Sequence, residues 1–162
     1  MEKDCCFTQE KDWFRYRAAA IIIEDGCVLL VGNEKEDYLY SVGGGVHMGE
    51  TAEQAVAREV YEETGLAVID YAYRGIVTFV SNQYGTEHMH LFTIGSYAGK
   101  PKECEEGELR WIKKEELLRL PMWEGDRIFL ELLDKKIPFF SLKLVYSGET
   151  LIQAVLNGKT IR

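Results

Sequence analysis

The chain has 162 residues, 46% of them apolar and 28% charged, and carries a formal net charge of −8. That length suits one domain with a real hydrophobic core, and an acidic balance with a pI near 5.0 argues against binding nucleic-acid polymers or anionic membrane surfaces. No stretch approaches the roughly 18 apolar residues that span a bilayer. The polar N-terminus lacks the pattern of a signal peptide, and Cys5, Cys6, Cys27 and Cys104 have neither zinc-ligand nor disulfide-framework spacing, so reduced thiols and a cytoplasmic location are expected.

In chain order, residues 1–14 read as a polar extension. Residues 17–23 (RAAAIII) and 27–32 (CVLLVG) read as two strands joined by Glu24-Asp25-Gly26, a hairpin signal, and their near-continuous apolar character predicts burial on both faces. A charged loop covers residues 34–37, a short strand is predicted for 38–42, and Gly43-Gly44-Gly45 reads as a turn. Thr51, with Gln54 three residues on, resembles a capping box, and Gly65 a C-terminal stop. A helix is therefore expected from Ala52 to Thr64.

Residues 67–81 and 87–97 form a second predicted hairpin, followed by an acidic loop at 100–107 and a strand at 108–112. Helices are predicted at 113–120 and 122–133, separated by Pro121. Residues 139–146 alternate like an edge strand, and residues 150–156 fit strand or helix. Strands interleaved with helices indicate an α/β or α+β domain.

The helix at 52–64 carries the chemistry. At about 100° per residue, Glu59, Glu62 and Glu63 share the side occupied by Ala52, Ala55, Val56 and Val60. Like charges packed toward a core repel strongly, and Arg58 alone is too little to offset them. A hard divalent cation with oxygen ligands is the natural compensation.

Gly44, Glu50 and the run Arg58-Glu59-Val60-Tyr61-Glu62-Glu63-Thr64-Gly65-Leu66 match every fixed position of the Nudix box, here spanning 44–66. The chain thus resembles the Nudix hydrolases, which cleave a nucleoside diphosphate linked to another moiety. The resemblance implies a single domain over 1–162 with the family's α/β/α sandwich and mixed sheet, the box helix on one side and the helix near 124–133 on the other. It also implies Mg²⁺, or Mn²⁺ in its place, held by Glu59, Glu62, Glu63 and the carbonyl of Gly43, with Arg58 pairing to Glu50 or Glu62. Gly44, Gly45 and Glu50 would shape the phosphate site. Many relatives add a carboxylate from a later loop, and Glu106 is the candidate, with Glu105 and Glu108 nearby.

The segments Met122-Trp123-Glu124-Gly125-Asp126 and Tyr146-Ser147-Gly148 further resemble the MutT-type oxidised-purine nucleoside triphosphatases. On that resemblance Trp123 would stack on a base and Asp126 would hydrogen-bond its edge. Two positions depart from the pattern: Tyr40 stands where some of these enzymes carry an asparagine, and Val42 replaces the usual proline. Tyr40 can stack on a base but lacks an amide's paired donor and acceptor.

The resulting expectation is a nucleotide pyrophosphohydrolase, as monomer or homodimer, that cuts an oxidised or noncanonical nucleoside triphosphate such as 8-oxo-dGTP to the monophosphate and pyrophosphate. A hydrolase of ADP-ribose, a sugar nucleotide or a dinucleotide is the alternative, and a non-catalytic nucleotide sensor the third. His88 and His90 share one strand face and are expected to be a substrate wall or structural, while His47 occupies a variable box position.

Overall fold

The computed structural model describes residues 3–32, 39–102 and 107–162. Among them ten strands form one sheet, with three helices: β1 (Cys6–Gln9), β2 (Asp12–Glu24), β3 (Cys27–Gly32), β4 (Val42–Gly45), α1 (Ala52–Thr64), β5 (Ala67–Ser81), β6 (Gly85–Ala98), β7 (Glu108–Lys113), α2 (Lys114–Leu117), α3 (Glu124–Asp134), β8 (Phe140–Ser147), β9 (Thr150–Leu156) and β10 (Lys159–Thr160). The strand order is β10-β9-β8-β5-β6-β2-β3-β7. Pairing of β2 with β6 and of β5 with β8 is parallel and the rest is antiparallel, so the sheet is mixed as expected.

Strand β2 organises the site. Along one edge it pairs with β6 from Phe14 to Ile22; along the other it meets β1, β4 and β3 in succession. Its segment Ala18–Ile22 is fully buried because successive side chains point to opposite faces and both faces are covered. Ala18, Ala20 and Ile22 pack with Val56 and Val60 of α1, whereas Ala19 and Ile21 pack with Phe129, Leu130 and Leu133 of α3. The two helices therefore lie on opposite sides of the sheet.

Five expectations need correction. The N-terminal residues are more than an extension: β1 adds a strand, and Cys5 N–H donates to the carbonyl of Val46. Gly43–Gly45 are not a turn but β4, opposite Arg17–Ala19. Gly43 is required there because a Cβ would strike the Ala18 carbonyl. The predicted strand at 38–42 is not continuous: Tyr40 makes a single bridge with Val31, Val42 begins β4, and residues 33–38 lie outside the described part. Strand β8 is interior, paired with β5 and β9. Its alternation reports one covered face (Phe140, Leu142, Leu144 and Tyr146 are buried) and carries no information about its neighbours. Residues 150–156 resolve as strand, and the predicted helix at 113–120 contracts to α2.

Candidate active site

Helix α1 begins and ends where its local chemistry dictates. Thr51 accepts a hydrogen bond from Gln54 N–H while its own N–H donates to the Gln54 side chain, and Gly65 closes the helix in the left-handed conformation (φ 77°). Ala52, Ala55, Val56 and Val60 are buried against the sheet. Position along the wheel then separates the three acids. Glu63 is buried, at 6% exposure, and Glu59 nearly so, but the Glu62 side chain is 56% exposed. The expectation that all three turn inward holds for two; Glu62 sits at the rim, where the helix surface rolls toward solvent.

Arg58 ties the cluster together with all five of its donors. Nε and Nη2 grip Glu50 at 2.8 and 3.1 Å, Nη1 donates to Glu59 at 2.7 Å and to Glu62 at 3.2 Å, and Nη2 also reaches the Gly45 carbonyl at 2.9 Å. One guanidinium thus locks α1 to the end of β4. The His47 main-chain N–H adds a bond of 2.9 Å to Glu50. The hydrogen bonds from Arg58 hold the Glu50 carboxyl below the ordinary carboxylate range, against the opposing effect of burial. The same contacts, Glu50 first, push the Arg58 guanidinium up, so it stays charged.

Glycine at 44 has a purpose that the turn reading missed. A Cβ there would collide with the Glu59 carboxylate, so the bare backbone lets that group lie against β4. At 45 a Cβ would meet the carboxylate of Asp4, which also faces Arg15 at 3.5 Å and His47 Nε2 at 3.4 Å. The N-terminal segment thus buttresses the loop leading into α1.

These features fit a divalent cation. Glu50, Glu59, Glu62 and Glu63 bring four formal negative charges against the single charge of Arg58, and every candidate donor is a hard oxygen, the type Mg²⁺ prefers. The cradle opposite Gly44 sets the Glu59 carboxylate against bare backbone. Among the described residues, no three Asp, Glu, His or Cys side chains already converge as a cage; Arg58 engages Glu59 and Glu62. Glu105 and Glu106 lie outside the described residues. Glu108 starts β7 with its side chain 72% exposed, paired to Arg110 at 3.1 Å.

A second feature lies across the sheet. A cavity of about 80 Å³ is bounded by Arg17, Tyr40, Met89, Met122 and Asp126, with Phe129 and Leu130 beneath. The sequence reading named Tyr40 and Asp126 but missed Arg17, whose place inside the first strand gives no local signal. Burial pushes the Asp126 carboxyl up to about 7, opposed in part by the charge of Arg17. Trp123 does not bound this cavity. It packs edge-on against Phe79 and Tyr146, with ring centres 5.8 and 4.8 Å away, and 5.9 Å from Tyr84. Tyr146, buried beneath, accepts a 2.7 Å hydrogen bond from Gly125 N–H and so fixes the start of α3.

His88 and His90 do share a face but diverge in contacts. His88 meets the Phe14 ring, while His90 hydrogen-bonds the Tyr73 hydroxyl and has its pKa lowered, chiefly by burial. They wall a groove with Cys5, Cys6, Phe7 and Met48. Cys5, Cys6 and Cys27 are free thiols. No helix among the described residues is long and apolar enough to cross a membrane.

Comparison with known proteins meets this geometry. The NUDIX domain family model matches residues 14–133. The uncharacterised Nudix hydrolase YvcI of Bacillus subtilis is 31% identical over 122 residues, 71% of this chain and 76% of its own length. The oxidized purine nucleoside triphosphate hydrolase of Danio rerio is 31% identical over 142 residues, 85% and 90% of the two chains. A MutT protein from Bacillus halodurans superposes with a TM-score of 0.82 at 26% identity, covering 88% of this chain and 97% of that one. With the helix, the glycine strand and the carboxylate cluster held as the box demands, this chain belongs to the Nudix family of hydrolases, which act on substrates built on a nucleoside diphosphate.

Proposed function

We propose that the protein is a Mg²⁺-dependent nucleoside triphosphate pyrophosphohydrolase that acts on oxidised or noncanonical purine nucleotides. The observation that carries this reading is the placement of two unlike sites around β4. The acidic cluster of α1 lies on one side, and a small, partly open, largely apolar cavity bounded by Asp126 lies on the other. A nucleotide bound with its phosphates along Gly43–Gly45 has its base directed toward Tyr40 and Asp126, with Met89 and Met122 completing the wall. The relatives named for oxidised purine triphosphates support the substrate class.

The chemistry needed is modest. Water must attack a phosphorus shielded by negative oxygens, so charge neutralisation and positioning dominate the barrier. When bound by Glu59, Glu62, Glu63 and the Gly43 carbonyl, a divalent cation would neutralise the phosphate oxygens and make a coordinated water more acidic. The chain's own residues do the rest. Arg58 holds Glu50, Glu59 and Glu62 in register with β4, and a carboxylate of the cluster takes the proton from the attacking water. The water oxygen joins phosphorus as the anhydride P–O bond breaks, leaving a monophosphate and pyrophosphate.

The test is a nucleotide panel assayed with Mg²⁺ and with Mn²⁺, scored for released pyrophosphate. The panel includes 8-oxo-dGTP, ordinary dNTPs, ADP-ribose, a sugar nucleotide and a dinucleotide. Pyrophosphate release from modified purine triphosphates is the expected outcome. Two monophosphate products from ADP-ribose or a dinucleotide, with triphosphates untouched, would replace this reading with the alternative one.

A further inference from the structure

The cavity beside α3 contains a charged group that the fold and the hydrolytic step leave unused. Arg17 stands on β2, directly across the ladder from Gly45 on one side and Met89 on the other. It alternates with the buried Ala18, so it faces the α3 side and enters the cavity that also holds Asp126. Its Nε is buried and has no hydrogen-bond partner among the described residues. Its ion pair with Glu87 spans 3.9 Å, beyond hydrogen-bond range. A buried N–H left open is costly, and the side chain that carries it lines a cavity walled by Met89, Met122, Phe129 and Leu130.

We propose that Arg17 selects the base: it donates to a keto oxygen on the base edge, so that the cavity accepts 6-oxopurine nucleotides and rejects 6-aminopurine ones. This rests on reading the protein as a nucleoside triphosphate hydrolase. The guanidinium has donors only. A 6-keto oxygen satisfies it, whereas a 6-amino group sets donor against donor in a site with little water to repair the mismatch. Asp126 supplies the complementary group, since its carboxylate accepts from the ring N–H and exocyclic amine of a guanine-type base. The carboxyl also argues that Arg17 reads a base and not a phosphate, because an anion placed there would face Asp126. With Tyr40 in place of an amide side chain, the edge-reading donor falls to Arg17. The cavity is smaller than a purine, and two of its walls are methionines, whose unbranched side chains swing readily to admit a ring.

The experiment compares kcat/KM for matched substrates differing at position 6, 8-oxo-dGTP against 8-oxo-dATP and dGTP against dATP. Wild type, Arg17→Gln and Arg17→Lys are measured, with thermal melting of each. Wild type is expected to favour the 6-oxo member of both pairs. Arg17→Gln should lower that preference about 10- to 100-fold, the scale of a polar base contact. Arg17→Lys should retain part of it, keeping a charged donor but losing the fork. Should Arg17→Gln fail to fold, the lysine variant decides alone, by a preference intermediate between wild type and parity. A wild type that favours 6-amino purines overturns the proposal, as does a variant that slows both members equally and leaves the ratio unchanged. Failure of the wild type to cleave any triphosphate while it turns over ADP-ribose or a dinucleotide would instead remove the underlying reading, a result separable from an unchanged ratio.

Discussion

Gly44 and Gly43 are neighbours in one strand, yet alanine at each should fail differently. At Gly44 the added Cβ would lie 2.5 Å from the carboxyl carbon of Glu59, and ordinary contact begins near 3.4 Å. The obstacle is the end of a flexible side chain, and the backbone there avoids the left-handed region. The glutamate can therefore swing away by about 0.9 Å at little cost in stability, under ~1 kcal/mol. Catalysis should be less forgiving, since a displacement near 1 Å in a positioned group costs on the order of 100-fold. At Gly43 the Cβ would meet the Ala18 carbonyl and the Ala19 Cα at 2.8 Å, both in the central strand and unable to yield. Gly43→Ala should therefore destabilise the fold by roughly 2–4 kcal/mol, through strain and overpacking. Pyrophosphate release and thermal melting of both variants separate the cases: Gly44→Ala folded but slow, Gly43→Ala unstable. A Gly44→Ala enzyme with wild-type kcat would refute the argument, because Glu59 would then have no need to lie against β4.

Three further outcomes follow from the same geometry. Glu62→Gln and Glu63→Gln should lower kcat by about 10²–10³ while the proteins still melt cooperatively, since each removes charge needed at the transition state and relieves a ground-state repulsion; loss of folding in step with loss of activity would assign the acids a structural role. Because Asp126 has a folded pKa raised to about 7 against ~3.9 when unfolded, the unfolded chain releases its proton first, so wild-type stability should fall as pH rises from about 4 to about 7, by a few kcal/mol. Asp126→Asn should flatten that slope in urea titrations across the window, and parallel curves for the two proteins would contradict the assigned burial. Tyr146→Phe strands the buried N–H of Gly125 and should cost about 1–3 kcal/mol, loosening the start of α3 beside Trp123; an unchanged melting temperature would mean that this amide finds another acceptor.

What could be read from the chain follows the range of the forces involved. Helix α1 was legible to the residue because its signals are local: Thr51 with Gln54 at one end, Gly65 at the other, and apolar spacing between. The two hairpins around Asp25-Gly26 and Asn82–Gly85 were legible for the same reason. Local patterning could not tell that β8 is interior, because alternation records which face is dry and says nothing about edge neighbours. It could not distinguish a glycine turn from a glycine strand either, since both need missing side chains and only the approach of Ala18 decides between them.

The sequence by itself determined the box helix, its acids and Arg58, since all lie within one continuous segment whose spacing dictates their proximity. Only the tertiary structure decided that Arg58 would spread its five donors over three carboxylates and a strand carbonyl, that Glu62 would lie at the rim, and that Arg17 and Asp126, 109 positions apart, would share one cavity. That meeting depends on β2 running through the middle of the sheet while α3 crosses the face opposite α1, an arrangement set by burial of two apolar faces at once and by no interaction near either residue in the chain.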